Sequence, residues 1–118
     1  MVVTGVGVVS PLGTGKEVFW EAIRSGASGV GPITRFDASA FPVRIAAEVK
    51  DFDPAVYMDR KDARRMDRFT QYAVAATRMA LQDAGLSMEA TDPERVGVLI
   101  GSGIGGIETL EEQCRVLA

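Results

Sequence analysis

Val96-Gly97-Val98-Leu99-Ile100-Gly101-Ser102-Gly103-Ile104-Gly105-Gly106 decides the fold class of this chain. The run Val96 to Ile100 is apolar, uncharged and short, which suits a strand buried on both faces of a parallel sheet. Asp92-Pro93 marks a turn before it. Glycines then interrupt the run, and Ile104, Ile107, Leu110, Cys114 and Leu117 recur on one helical stripe. That last helix carries no stop signal before Ala118.

The same alternation appears upstream. Val2-Val3 leads into Thr4-Gly5-Val6-Gly7, a short buried strand running into a glycine turn. Thr14 stands three residues before Glu17, the capping-box spacing that opens a helix. Val18, Phe19, Ala22 and Ile23 form its apolar stripe, and Gly26 is placed to end it. Residues 27 to 54 are rich in glycine, proline and turn formers, with one strand expected at Val43 to Val49. The longest helix is expected from about Arg60 to Ala84, with Met66, Phe69, Ala73, Ala76, Ala80 and Ala84 at helical spacing. Its many alanines imply close packing on a neighbouring element, and Gly85 is the stop. Strand, helix, strand, helix, strand, helix is an α/β order.

At 118 residues the chain is the size of one small domain. Its apolar share of 47% and charged share of 25% exclude bulk disorder. A net charge of −3 gives no global reason to expect nucleic acid, so electrostatic recognition must be local. One cysteine makes no internal disulfide, which fits a reducing compartment. The opening residues lack a basic region and a long apolar run, unlike a signal peptide. No segment reaches the roughly 18 to 20 apolar residues of a membrane span. A cytoplasmic protein is expected. There is no histidine, which closes imidazole catalysis and most zinc sites to these residues alone.

Gly101, Gly103 and Gly106 satisfy the dinucleotide pattern G-x-G-x-x-G between a strand and a helix. The acidic residue that pattern needs, about 20 residues later, falls beyond Ala118. The same glycines equally let the helix pack closely on another backbone. Gly13-Thr14-Gly15-Lys16 fails as a phosphate loop, because Ser10 replaces the first glycine and Glu17 the magnesium-binding hydroxyl. Cys114 reads as a small buried hydrophobe, and Trp20 and the phenylalanines as core. No pair of carboxylates stands out as an acid and base.

The basic cluster Arg60, Lys61, Arg64, Arg65 and Arg68 is the most informative feature. On one continuous helix Lys61, Arg64, Arg65 and Arg68 share a narrow face. Like charges at those spacings cost about 0.2 to 0.5 kcal/mol per pair, so the stripe does not help the helix form. It is either a solvated face relieved by Asp59, Asp62 and Asp67, or a docking patch for an acidic or phosphorylated partner.

Val2-Val3-Thr4-Gly5-Val6-Gly7-Val8-Val9-Ser10-Pro11-Leu12-Gly13 resembles the opening of β-ketoacyl-acyl carrier protein synthases. Phe36-Asp37-Ala38-Ser39, Val49-Lys50-Asp51-Phe52 and Arg60-Lys61-Asp62-Ala63-Arg64-Arg65-Met66-Asp67-Arg68-Phe69 resemble the elongating synthase II branch. Ile100-Gly101-Ser102-Gly103-Ile104-Gly105-Gly106 and Glu111-Glu112-Gln113 complete a likeness that covers essentially the whole chain.

The resemblance implies the N-terminal part of a thiolase-type layered (αβαβα) fold, incomplete, with residues 1–118 forming part of one such domain. It implies a homodimeric parent that joins an acyl group, held on a cysteine, to malonyl-acyl carrier protein with loss of carbon dioxide and without a redox cofactor. The nucleophilic cysteine and two histidines lie further downstream in such enzymes, so no catalytic residue is expected here and Cys114 is not one. The chain is expected to be an N-terminal piece, slightly short at its start and inactive alone. Its half-made sheet should leave apolar faces exposed. The resemblance also assigns Lys61, Arg64 and Arg65 to docking of the acidic carrier protein. It assigns Ile104 to the lining of the acyl pocket.

Overall fold

Pro11 and Leu12 turn the chain so that Val9–Ser10 (β1) pairs antiparallel with Gly13–Thr14 (β2), Val9 opposite Thr14. The Ser10 hydroxyl closes the turn by donating to the Gly13 carbonyl at 3.0 Å and accepting the Leu12 N–H. The computed structural model describes residues 1–118. They form two units, Val8–Phe52, and Met1–Gly7 with Asp53–Ala118.

In the first of these, helix α1 spans Lys16–Arg24. It starts from Gly15 and not from a Thr14 capping box, because Thr14 is already paired with Val9 in the hairpin. Its end is the expected one. Gly26 takes φ 69°, and the Ala27 N–H reaches back to the Ala22 carbonyl, a Schellman closure. Val30–Pro32 (β3) pairs antiparallel with Ile45–Ala47 (β4), which lies inside the strand expected at Val43 to Val49. A clasp joins the ends of this pair: the Thr34 hydroxyl (2.6 Å) and N–H (3.0 Å) both donate to the Glu48 carboxylate. Trp20 is 60% exposed and Phe36 and Phe41 stack edge-on at the surface, so of the residues expected as core here only Phe52 is buried. The apolar side of α1 finds no partner deep enough to cover an indole.

The second unit is built around one long helix. Asp53 caps the 3₁₀ turn Pro54–Val56, and Asp59 caps a single turn of helix, Arg60–Ala63 (α2), by accepting the Lys61 N–H at 2.7 Å. Helix α3 then spans Arg68–Asp83. The continuous helix expected over residues 60 to 84 is therefore broken. Asp67 adopts an extended backbone (φ −62°, ψ 156°), and α3 begins afresh from its carbonyl. The break is stapled by Gln71, whose side-chain amide donates to the carbonyls of Ala63 (2.8 Å) and Met66 (3.1 Å). These acceptors lie at the end of α2, where helix donors run out. At its other end α3 stops as expected: Gly85 takes φ 61° and the Leu86 N–H bonds the Leu81 carbonyl.

The alanine face of α3 lies against the N-terminal segment. A Cβ on Gly5 would run into the carbonyl oxygen of Ala80, and one on Gly7 into that of Ala76. The Val6 N–H between them donates to the Asp83 carboxylate at 3.0 Å. Ala75 is fully buried, with Met58 and Ala63 nearly so. After the expected turn, capped by Asp92 and containing the 3₁₀ turn Pro93–Arg95, the chain runs through Val96 to Ile100. Neither this run nor Val2-Val3 forms a strand ladder. A strand of the fully buried kind needs neighbours on both edges and cover on both faces; Val2, Val3, Val98 and Leu99 have neither and remain exposed, Leu99 completely. Helix α4, Ile107–Leu117, closes the chain with Ile107, Leu110 and Leu117 exposed. Cys114 is exposed with them, not buried as its stripe implied, since no element covers that face.

Gly7→Ala should therefore cost about 1–3 kcal/mol, because the helix backbone it meets is hydrogen-bonded and does not yield. Gly101→Ala, which meets nothing within 4 Å, should stay within about 0.5 kcal/mol. Urea unfolding followed by far-ultraviolet circular dichroism checks both. The clasp is pH-dependent: the Thr34 hydroxyl and then its N–H hold the Glu48 carboxyl below the ordinary glutamate range. Its contribution is fully present above the ordinary glutamate value and is lost as pH falls through the lowered folded one. Hydrogen exchange at Thr34 should accelerate in that acid window, relative to intrinsic rates, and Glu48→Gln should flatten the profile.

Candidate functional site

Four cations, Arg60, Lys61, Arg64 and Arg65, fall within and just after the single turn of α2, and all are exposed. None forms a salt bridge. Two of the three aspartates that could neutralise them are engaged elsewhere. Asp59 accepts the Lys61 backbone N–H, and Asp67 accepts the Thr109 hydroxyl at 2.6 Å. The cations therefore face solvent without a direct ion-pair partner, although the aspartates interleaved with them keep their charge.

Arg68, the fourth member of the expected stripe, is not part of this surface. The break at Asp67 places it in the first turn of α3, where its Nε donates to the Tyr72 hydroxyl at 2.8 Å. Its guanidinium lies 5.2 Å from the Tyr72 ring centroid, a cation–π contact. Lys61, Arg64 and Arg65 are thus exposed within and just after α2, while Arg68 is half-buried and engaged with Tyr72. Beside them runs a groove of about 300 Å³. It is lined by Asp53, Pro54 and Ala55 before α2, by Arg60 and Ala63 within it, and by Arg64 and Gln71 after it. Gln71 was absent from the expected site, and an isolated glutamine within helical spacing gives no sign that its amide bridges a break. Asp67 did carry a signal: an aspartate ahead of Arg68-Phe69-Thr70-Gln71 is a helix N-cap pattern.

Ile104 lies in the loop before α4, 79% exposed. The Ser102 hydroxyl accepts the Gly105 N–H at 3.0 Å, and Gly105 takes φ 79°, so the loop doubles back around Ile104. Of the three glycines in the dinucleotide pattern, Gly101 and Gly103 face open space. At Gly106 a Cβ would meet the Asp67 carboxylate, the movable end of a side chain, and no ligand cradle. No group of three or more His, Cys, Asp or Glu is placed to hold a metal ion. No helix is long and apolar enough to cross a membrane.

The chain is 54% identical over 112 residues to the 3-oxoacyl-[acyl-carrier-protein] synthase 2 of Coxiella burnetii, covering 95% of this chain and 27% of that protein. The corresponding synthase of Synechocystis sp. is 47% identical over 117 residues, covering 99% and 28% respectively. The chain thus spans little more than a quarter of the length of these relatives. Among solved structures, the ishigamide ketosynthase/chain length factor aligns with a TM-score of 0.74 at 39% identity, over 98% of this chain and 30% of that one. A type II PKS acyl-carrier protein in complex with its ketosynthase, bound to the hexaketide, aligns with a TM-score of 0.77 at 28% identity, over 98% and 29%. These likenesses place the chain in the thiolase-type α/β class, as part of that fold. Residues 1–117 match the family model of the β-ketoacyl synthase N-terminal domain, and the chain belongs to that family.

Proposed function

We propose that residues 1–118 are the N-terminal part of an elongating 3-oxoacyl-[acyl-carrier-protein] synthase, an acyltransferase of fatty acid synthesis. The whole enzyme condenses an acyl thioester with malonyl-acyl carrier protein, releasing carbon dioxide, and works as a cytoplasmic homodimer without a redox cofactor. The likeness at 54% identity to the Coxiella burnetii synthase is the observation that carries this.

Within that enzyme Lys61, Arg64 and Arg65 receive the acidic carrier protein. Their exposure and lack of salt bridges support the role, since cations not already paired remain available to a partner's carboxylates. The neighbouring groove gives the partner a recess beside the charges. Ile104 contributes an apolar wall to the acyl pocket; its exposure leaves its side chain free to meet an acyl tail or a covering element. The reaction needs a nucleophile with imidazole partners, and no histidine occurs in these residues. The role of this chain is therefore to bind and to shape, and the chemistry lies outside it.

Arg64→Glu with Arg65→Glu in the full-length enzyme should weaken carrier-protein binding at least about tenfold at low salt. Rising ionic strength should weaken binding by the unsubstituted enzyme as well. Unchanged affinity in low-salt calorimetry would remove the docking role. The purified 118-residue chain should release no carbon dioxide from malonyl-carrier protein, whereas the full-length enzyme should; turnover by the short chain alone would refute the division of labour.

A further inference from the structure

Four aspartates stand at the starts of helical elements, and three of them behave alike. Asp53, Asp59 and Asp92 each accept an N–H from the residue two positions on, in their own element. Asp67 has the extended backbone of a cap but makes no such bond to α3. Its carboxylate turns instead to α4. Oδ1 accepts the Thr109 hydroxyl at 2.6 Å, across 42 residues of chain, and Oδ2 fills the place a Cβ on Gly106 would need.

Helix α4 has no cap of its own, since Gly106 occupies its N-cap position. The N–H groups at such an end attract negative charge, and Asp67, the extended residue before α3, supplies it. One residue thereby ties two regions together. Asp67 follows Arg64 and Arg65 by three and two positions, and Gly106 follows Ile104 by two.

We propose that Asp67 is a positioning residue that fixes the Gly101–Gly106 loop, and Ile104 with it, to the segment bearing Arg64 and Arg65. Pocket geometry then depends on a carboxylate at the edge of the docking surface. This rests on the roles proposed above for Ile104 and the cations. The tie does not hold α3 itself, whose first N–H bonds go to the Asp67 backbone carbonyl from Thr70 and Gln71. Asp67→Ala therefore leaves α3 intact while releasing the loop.

The test uses the full-length enzyme. Asp67→Ala should raise hydrogen exchange of the 103–107 amides about tenfold and leave those of 71–80 unchanged. It should lower kcat with long acyl chains about fivefold to tenfold, with carrier affinity changed less than about twofold. Thr109→Val should shift both readouts in the same direction, and the double variant should be little worse than Asp67→Ala. Asp67→Asn keeps an acceptor for the Thr109 hydroxyl and should restore most of both. Unaltered loop exchange in Asp67→Ala, equal loosening of residues 71–80, or failure of asparagine to rescue would each overturn the proposal. An enzyme with no condensing activity would instead defeat the proposed function, and the exchange measurements would still decide whether the tie exists.

Discussion

The close approach of Gly5 and Gly7 to the backbone of α3 organises the unit that contains the site. Ala76, Ala80 and Ala84 present a face with almost no side-chain bulk, so the N-terminal segment lies directly against helix carbonyls. Any larger residue at either glycine would push the segment away. The Val6–Asp83 hydrogen bond gives this contact its direction, because smooth surfaces alone would let the segment slide. With α3 held in this way, the turn before it presents its cations from a fixed base, and Asp67 is carried to the start of α4.

Much of the helical architecture was legible in the residues. Gly26 and Gly85 each end a helix at the position their sequence context implies, because a left-handed residue after an apolar periodic run has few other uses. The alanine repeat announced a close neighbour, and the neighbour is there. The strands were less legible. Val96 to Ile100 has the composition of a buried strand, but ladder formation is a property of neighbours, and none lies beside it. The hairpin of β1 and β2 passed unnoticed because each strand is only two residues long.

The basic cluster was legible as an exposed group of charges but not in its geometry. Lys61, Arg64 and Arg65 form an exposed cluster, as the charge pattern implied, yet not on the continuous helix that pattern assumed. Periodicity counts side chains and is blind to a backbone that stops and restarts. Gln71 and Asp67 decide the local shape through hydrogen bonds spanning 8 and 42 positions, and no residue spacing announces such partners. The glycine-rich loop shows the converse: its pattern matches a nucleotide fingerprint, yet Gly101 and Gly103 face open space and Gly106 faces the Asp67 carboxylate.

The exposed, unbridged cations on and after α2 bear on speed as well as strength. Their field extends roughly a Debye length, about 8–10 Å, into solution at moderate ionic strength. On the docking role proposed above, an acidic protein would be turned toward this face before any atoms touch, which accelerates encounter more than it slows departure. A surface of that character would serve the proposed docking role by favouring quick arrival and quick departure.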